Sequence, residues 1–85
     1  MEGKIKESIG NKLDNLKVWI DSVVVEKEGS TTFLRIALDA DFVIPLNTVV
    51  MATRIINPIL DKMDIELEEY MLDVYAKEKG DVINE

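Results

Sequence analysis

The sequence predicts an α+β domain of two layers, ordered α-β-β-α-β, with a three-stranded sheet and both helices on one of its faces. Two kinds of pattern carry that expectation. Between Leu46 and Met63 the apolar residues Val49, Ala52, Ile56, Ile59, Leu60 and Met63 recur at helical steps, with Thr53 on the same side. Three other segments are rich in β-branched and aromatic residues and alternate, two of them cleanly, at a period of two. A single amphipathic helix of this length is marginal in water, so its apolar side must lie on the sheet those strands build.

Taken in order, Gly3 to Leu16 places Ile5, Ile9, Leu13 and Leu16 four, four and three apart, a narrow helical stripe among Lys and Glu. Gly10 stands in the middle of that helix and weakens it by roughly 1 kcal/mol relative to alanine. Lys17 to Glu28 changes to Val18, Trp19, Ile20 and Val23–Val25, which predicts a strand. Its alternation is imperfect, so it is either buried on both sides or interrupted by a bulge. Lys27-Glu28-Gly29-Ser30-Thr31 is a hairpin connection.

In the second strand Leu34, Ile36 and Leu38 form the inward face, alternating with Phe33, Arg35, Ala37 and Asp39. Pro45 then leads into the long helix, and Asn47 is the expected N-cap, since its side-chain oxygen can accept an early helical N–H. Pro58 interrupts the backbone bonding but not the apolar period, which predicts a kink with Asn57 re-capping the second half, not a stop. Tyr70 to Tyr75 alternates again and forms the third strand. Beside the first strand it would complete an antiparallel sheet, beside the second a mixed one; the pattern fits both. The domain is expected to span residues 1–76, with residues 77–85 a charged, mobile tail.

Composition narrows the chemistry. With 47% apolar and 32% charged residues the chain is globular. It has no cysteine, which excludes disulfides and thiol chemistry, and no histidine, which removes the commonest general base and zinc ligand. No apolar run nears the ~20 residues of a membrane span, and MEGKIKESIG lacks the apolar centre of a signal peptide; a cytoplasmic protein is expected. Residues 1–60 hold eight acids and seven bases, a net of −1; residues 61–85 hold nine acids and three bases, a net of −6. An acidic surface repels nucleic-acid backbones and attracts basic partners.

Candidate sites were weighed against plainer roles. Asp39 and Asp41 form a DxD pair that could share a divalent ion, but no third oxygen-rich cluster follows and aspartates commonly end strands. Asp61, Asp64, Glu66, Glu68 and Glu69 crowd the connection after the long helix. With no apolar wall to raise a carboxyl pKa they are a partner-binding surface or a solvated face, not a catalytic pair. The serines and threonines lack a histidine to activate them. Phe33 and Tyr75 could stack bases, but the surrounding charge is wrong for a nucleic-acid reader, and little direct nucleic-acid binding is expected. No enzyme, cofactor or metal site is expected.

One family shares the spacing of these residues. The strand Phe33-Leu34-Arg35-Ile36-Ala37-Leu38-Asp39 resembles "yLRvyID", and Ile44 with Leu46-Asn47 resembles "iTlDd". Thr53-Arg54 stands at an "SR" pair, Leu60-Asp61 at "LD", and Asp64 with Tyr70-Met71-Leu72-Asp73-Val74 at "D…YxLEV"; Val23 and Glu28-Gly29 sit as in "dVeyvkeG". All are motifs of the N-terminal domain of the bacterial ribosome maturation factor RimP family, which the chain resembles from Val23 to Val74. In place of the family's following "SSPG" stands Tyr75-Ala76-Lys77-Glu78-Lys79, and its second, SH3-like domain is absent, as in a divergent or truncated relative.

The resemblance implies a non-enzymatic factor in 30S subunit assembly whose partner is a basic small-subunit ribosomal protein or a pre-30S particle. The matched Arg35, Asp39, Asn47, Arg54, Asp61 and Tyr70 have a plainer, structural reading of their own, as turn, cap and packing positions, in which Arg54 could pair with an acid near the sheet edge. The alternative is a stand-alone interaction module, including a weak homodimer formed through an exposed strand edge.

Overall fold

A computed structural model describes residues 1–65, 67 and 69–78. The elements are α1 (Glu2–Ile9), β1 (Val18–Glu28), β2 (Thr31–Ala40), α2 (Leu46–Lys62) and β3 (Met71–Ala76), with a 3₁₀ turn at Asp14–Leu16 before β1. The fold is α+β, as the alternating periods predict. Residues 79–85 of the expected tail, and Glu66 and Glu68 of the acidic connection, lie outside the described residues.

The strands are ordered β1-β2-β3. β1 and β2 form an antiparallel hairpin and β2 pairs β3 in parallel, so the sheet is mixed. Parallel neighbours need a crossover connection, and α2 supplies it. β2 is therefore the central strand. Leu34, Ile36 and Leu38 on its covered face are fully buried, packed with Ile5 and Ile9 of α1 and Ala52, Ile56 and Leu60 of α2 in one core. Val18, Ile20 and Val23 extend that face across β1, and Leu72, Val74 and Ala76 across β3. Both helices thus serve the same face.

Three sequence expectations need correction. The first helix does not reach Leu16; it ends at Ile9, because Gly10 takes φ +51°, which costs a residue without Cβ little. Ile5, Ile9 and Leu13 are nonetheless all buried, since the turn after Gly10 returns the chain to the same face. Asn47 does not cap α2. Pro45 holds that position in an extended conformation, its carbonyl accepting the N–H groups of Thr48 (3.0 Å) and Val49 (3.3 Å), and Asn47 is an exposed residue inside the first turn. Nor does Asn57 re-cap a second half: α2 runs unbroken through Pro58. Arg54 and Pro58 both lie on the exposed side, where water can replace the missing backbone bond.

The imperfect alternation of β1 is a bulge. Ile20 pairs Leu38 and Ser22 pairs Ala37, leaving Asp21 without an opposite residue. The extra residue shifts the phase, so Trp19 before it and Val24 after it share the uncovered face, opposite Asp39 and Arg35 respectively. No helix among the described residues is long and apolar enough to cross a membrane.

Candidate protein-interaction surface

Two surfaces carry the residues of interest. The first is the acidic end of α2. Asp61 in its last turn, Asp64 just beyond and Glu69 are all exposed. An open cleft of about 1310 Å³ brings Asp61, Glu69 and Tyr70 together with Asn57, Lys27 and Thr32, while Asp64 lies outside it. Burial, and secondarily the Asp61 carboxylate, raises the Tyr70 phenol pKa above its usual value. The cleft is wide and polar, so it can hold a partner's side chains but does not enclose a substrate.

The second surface is the helix-free face of the sheet. The register arranges it in rows across β1, β2 and β3: Trp19 and Asp39; then Ser22, Ala37 and Tyr75; then Val24, Arg35 and Asp73; then Glu26, Phe33 and Met71. Trp19 is 47% exposed and Tyr75 42%, and Val24 and Met71 are exposed as well. Ala37 lies in their midst at 3%. No helix covers this face, so the side chains beside Ala37 on the sheet close over it.

Arg35 organises the lower half of this face. Its guanidinium donates to Glu26 Oε1 at 2.7 Å and Glu28 Oε2 at 3.1 Å, and stacks 4.7 Å from the Phe33 ring centroid. Nε lies 3.2 Å from Asp73 Oδ2, close enough to pair electrostatically but off the line of an N–H···O bond. The hydrogen bond it donates to Glu26 is the main cause of a pKa raised further above the usual arginine value, so the group stays charged. In the upper half, Lys77 Nζ lies 3.5 Å from Asp21 Oδ1 and 3.9 Å from Asp39 Oδ2, while Asp39 Oδ1 also accepts the Ala40 N–H at 2.8 Å. Among the described residues, five carboxylates (Asp21, Glu26, Glu28, Asp39, Asp73) thus gather around two cations (Arg35, Lys77).

Among the residues matched in the sequence, Arg35 and Asp39 hold the sheet face together, Tyr70 is half-buried beside the cleft, and Asp61 is at its rim. Arg54 is exposed on α2 and makes no ion pair among the described residues, contrary to expectation: α2 turns that side to solvent, away from the sheet edge. Asp41 is exposed at the end of β2, while Asp39 is directed to Lys77 and its own backbone; no group of three or more metal-ligating side chains exists among the described residues.

Sequence reasoning picked out Phe33 and Tyr75 as sheet-face aromatics but missed the open face as a unit, with Trp19, Val24 and Asp73 on it. The usable signal was the second phase of β2: Phe33, Arg35, Ala37 and Asp39 alternate as regularly as the core residues do. The chain matches no model of a known protein family, and no curated protein is significantly similar to it.

Proposed function

We propose that this chain is a non-enzymatic adaptor domain that binds a basic protein in the cytoplasm. Its resemblance to RimP N-terminal domains suggests the specific role, assisting 30S subunit assembly through a basic small-subunit ribosomal protein or a pre-30S particle. The observation that supports the reading best is the open face of the sheet, where exposed aromatic and aliphatic side chains stand among five carboxylates and two cations. Apolar area supplies affinity there, and surplus negative charge speeds encounter with a cationic partner and disfavours nucleic acid. The acidic rim of the cleft adds to the same field.

Affinity capture with the tagged chain from cell extract tests the role. Enrichment of small-subunit proteins or immature particles is expected, and their absence would remove the ribosomal part of the reading. Self-association is the second reading, favoured by the eleven residues of β1 on an outer edge of the sheet. Light scattering over a concentration series separates the two, since a strict monomer leaves only the adaptor.

A further inference from the structure

Resting on the reading of the domain as a binder of basic proteins, we infer that β1 takes up an extended segment of the partner as an added antiparallel strand. The segment lies along residues 22–28, with cations on the open face of the sheet and aliphatic side chains on the covered face. This stretch is on an outer edge, and between the bulge at Asp21 and the turn at Gly29 it pairs β2 without irregularity. Residues 24–28 are all exposed, whichever face their side chains take.

The turn fixes which backbone groups are free. Glu28 and Thr31 flank a two-residue connection, Gly29-Ser30, in which Gly29 takes φ +64°, so they form a hydrogen-bonded pair. Such pairs alternate with non-bonded ones along an antiparallel ladder. Ser22, Val24, Glu26 and Glu28 therefore bond to β2, while the N–H and C=O groups of Val23, Val25 and Lys27 point away from it. Among the described residues no strand lies on that side.

The side chains choose the occupant. Val25 belongs to the covered face, opposite the fully buried Leu34, yet is 42% exposed, so the helix layer leaves it open to an aliphatic neighbour. On the open face Glu26 and Glu28 each give one oxygen to Arg35 and remain exposed. With Asp73 they set three carboxylates against one guanidinium there, and Lys27 lies on the other side of the strand. Cross-strand pairs of opposite charge stabilise a sheet, so cations belong opposite Glu26 and Glu28. A second copy would instead bring another chain at −7. A nucleic acid brings phosphates and no amides to extend the ladder.

The full chain, isotope-labelled, would be titrated at low salt with the capped peptide Lys-Val-Lys-Val-Lys-Val-Lys and followed by NMR. Saturable binding is expected, with slowed hydrogen exchange at the Val23, Val25 and Lys27 amides. Two N-methylated forms of the peptide keep its charge. Methylating the valine nitrogens removes the donors that face β1 and is expected to cost about tenfold or more in affinity. Methylating the lysine nitrogens, which face away, should change it by less than about threefold. Val25→Pro deletes an outward N–H, so this variant is expected to fold and to lose the peptide. Circular dichroism checks its fold; should it not fold, Glu26→Gln with Glu28→Gln replaces it and is expected to weaken binding several-fold.

Equal affinity for the two methylated peptides, or unchanged exchange at all three amides, overturns the added strand and leaves a basic partner bound by charge alone. If the unmodified peptide does not bind, the added strand falls, and capture from extract decides the basic-protein reading separately. Exchange at the three amides that slows with protein concentration, without peptide, gives the edge to a second copy and overturns the basic segment.

Discussion

Consecutive residues of β2 live in opposite settings. Ile36 is fully enclosed by both helices and both neighbouring strands, whereas Arg35 points to the other side, where acids and a phenyl ring surround it and no second layer exists. The covered face is nearly pure aliphatic and is closed by the rest of the chain. The open face mixes aromatic, aliphatic and charged groups, and closes only its centre, at Ala37. One strand therefore serves two ends: its even residues hold the fold, and its odd residues are left for an external surface.

The largest effect should come from breaking the covered face at its centre. Ile36→Ala opens a cavity where the side chain is completely buried and is expected to cost about 2–5 kcal/mol. Domains of this size have only about 5–15 kcal/mol in all, so urea denaturation should show a protein near the edge of folding. A loss below about 1 kcal/mol would mean the core is not where the burial places it.

A sharper comparison uses one substitution on adjacent residues. Val23 faces the core and Val24 faces out. Val23→Thr buries a hydroxyl among aliphatic groups and should cost about 1–2 kcal/mol. Val24→Thr keeps a β-branched residue in the strand and should stay within about 0.5 kcal/mol. Equal costs would contradict the opposite settings of the two valines, and reversed costs would contradict the bulge at Asp21.

The smallest effect lies away from both faces, at Tyr70. Burial first, and Asp61 second, hold its phenol above the usual tyrosine value of about 10. Stability from this group is fully present below that value and is lost as pH rises through the higher folded pKa. Tyr70 and Tyr75 are the two tyrosines, so Tyr75→Phe isolates Tyr70 in an absorbance titration. Its midpoint should exceed 10, and Asp61→Asn should lower it only part of the way, because burial is the larger cause.

Much of the fold was legible because periodicity records burial. Leu34, Ile36 and Leu38 announce the covered face of β2, and Ala52, Ile56 and Leu60 the buried stripe of α2. What periodicity does not record is which strands become neighbours: β3 presents Leu72 and Val74 inward in either arrangement, so antiparallel and mixed sheets read alike. Local backbone choices were also hidden. Pro45 and Asn47 both suit a helix start, and proline held the cap with its carbonyl alone.

The open face was illegible for a related reason. An aromatic residue such as Trp19 or Tyr75 alternates identically whether or not a second layer covers it. The cleft at the end of α2 was half visible, since Asp61, Glu69 and Tyr70 converge there, while Lys27 arrives from the hairpin, forty-three residues before Tyr70 in the chain.

The central place of β2 also sets an order of events in time. The hairpin joins β1 to β2 across two residues, Gly29 and Ser30, whereas β3 meets β2 only after the thirty residues from Asp41 to Tyr70 have been spanned. Closing a short loop loses less chain entropy than closing a long one, so local pairing is kinetically favoured and the parallel pairing follows it. Until β3 arrives, one side of the most deeply buried of the three strands has no hydrogen-bonding partner from the sheet. As the chain leaves a ribosome, that edge stays open until Ala76 has emerged, and this interval is when the domain is most open to aggregation.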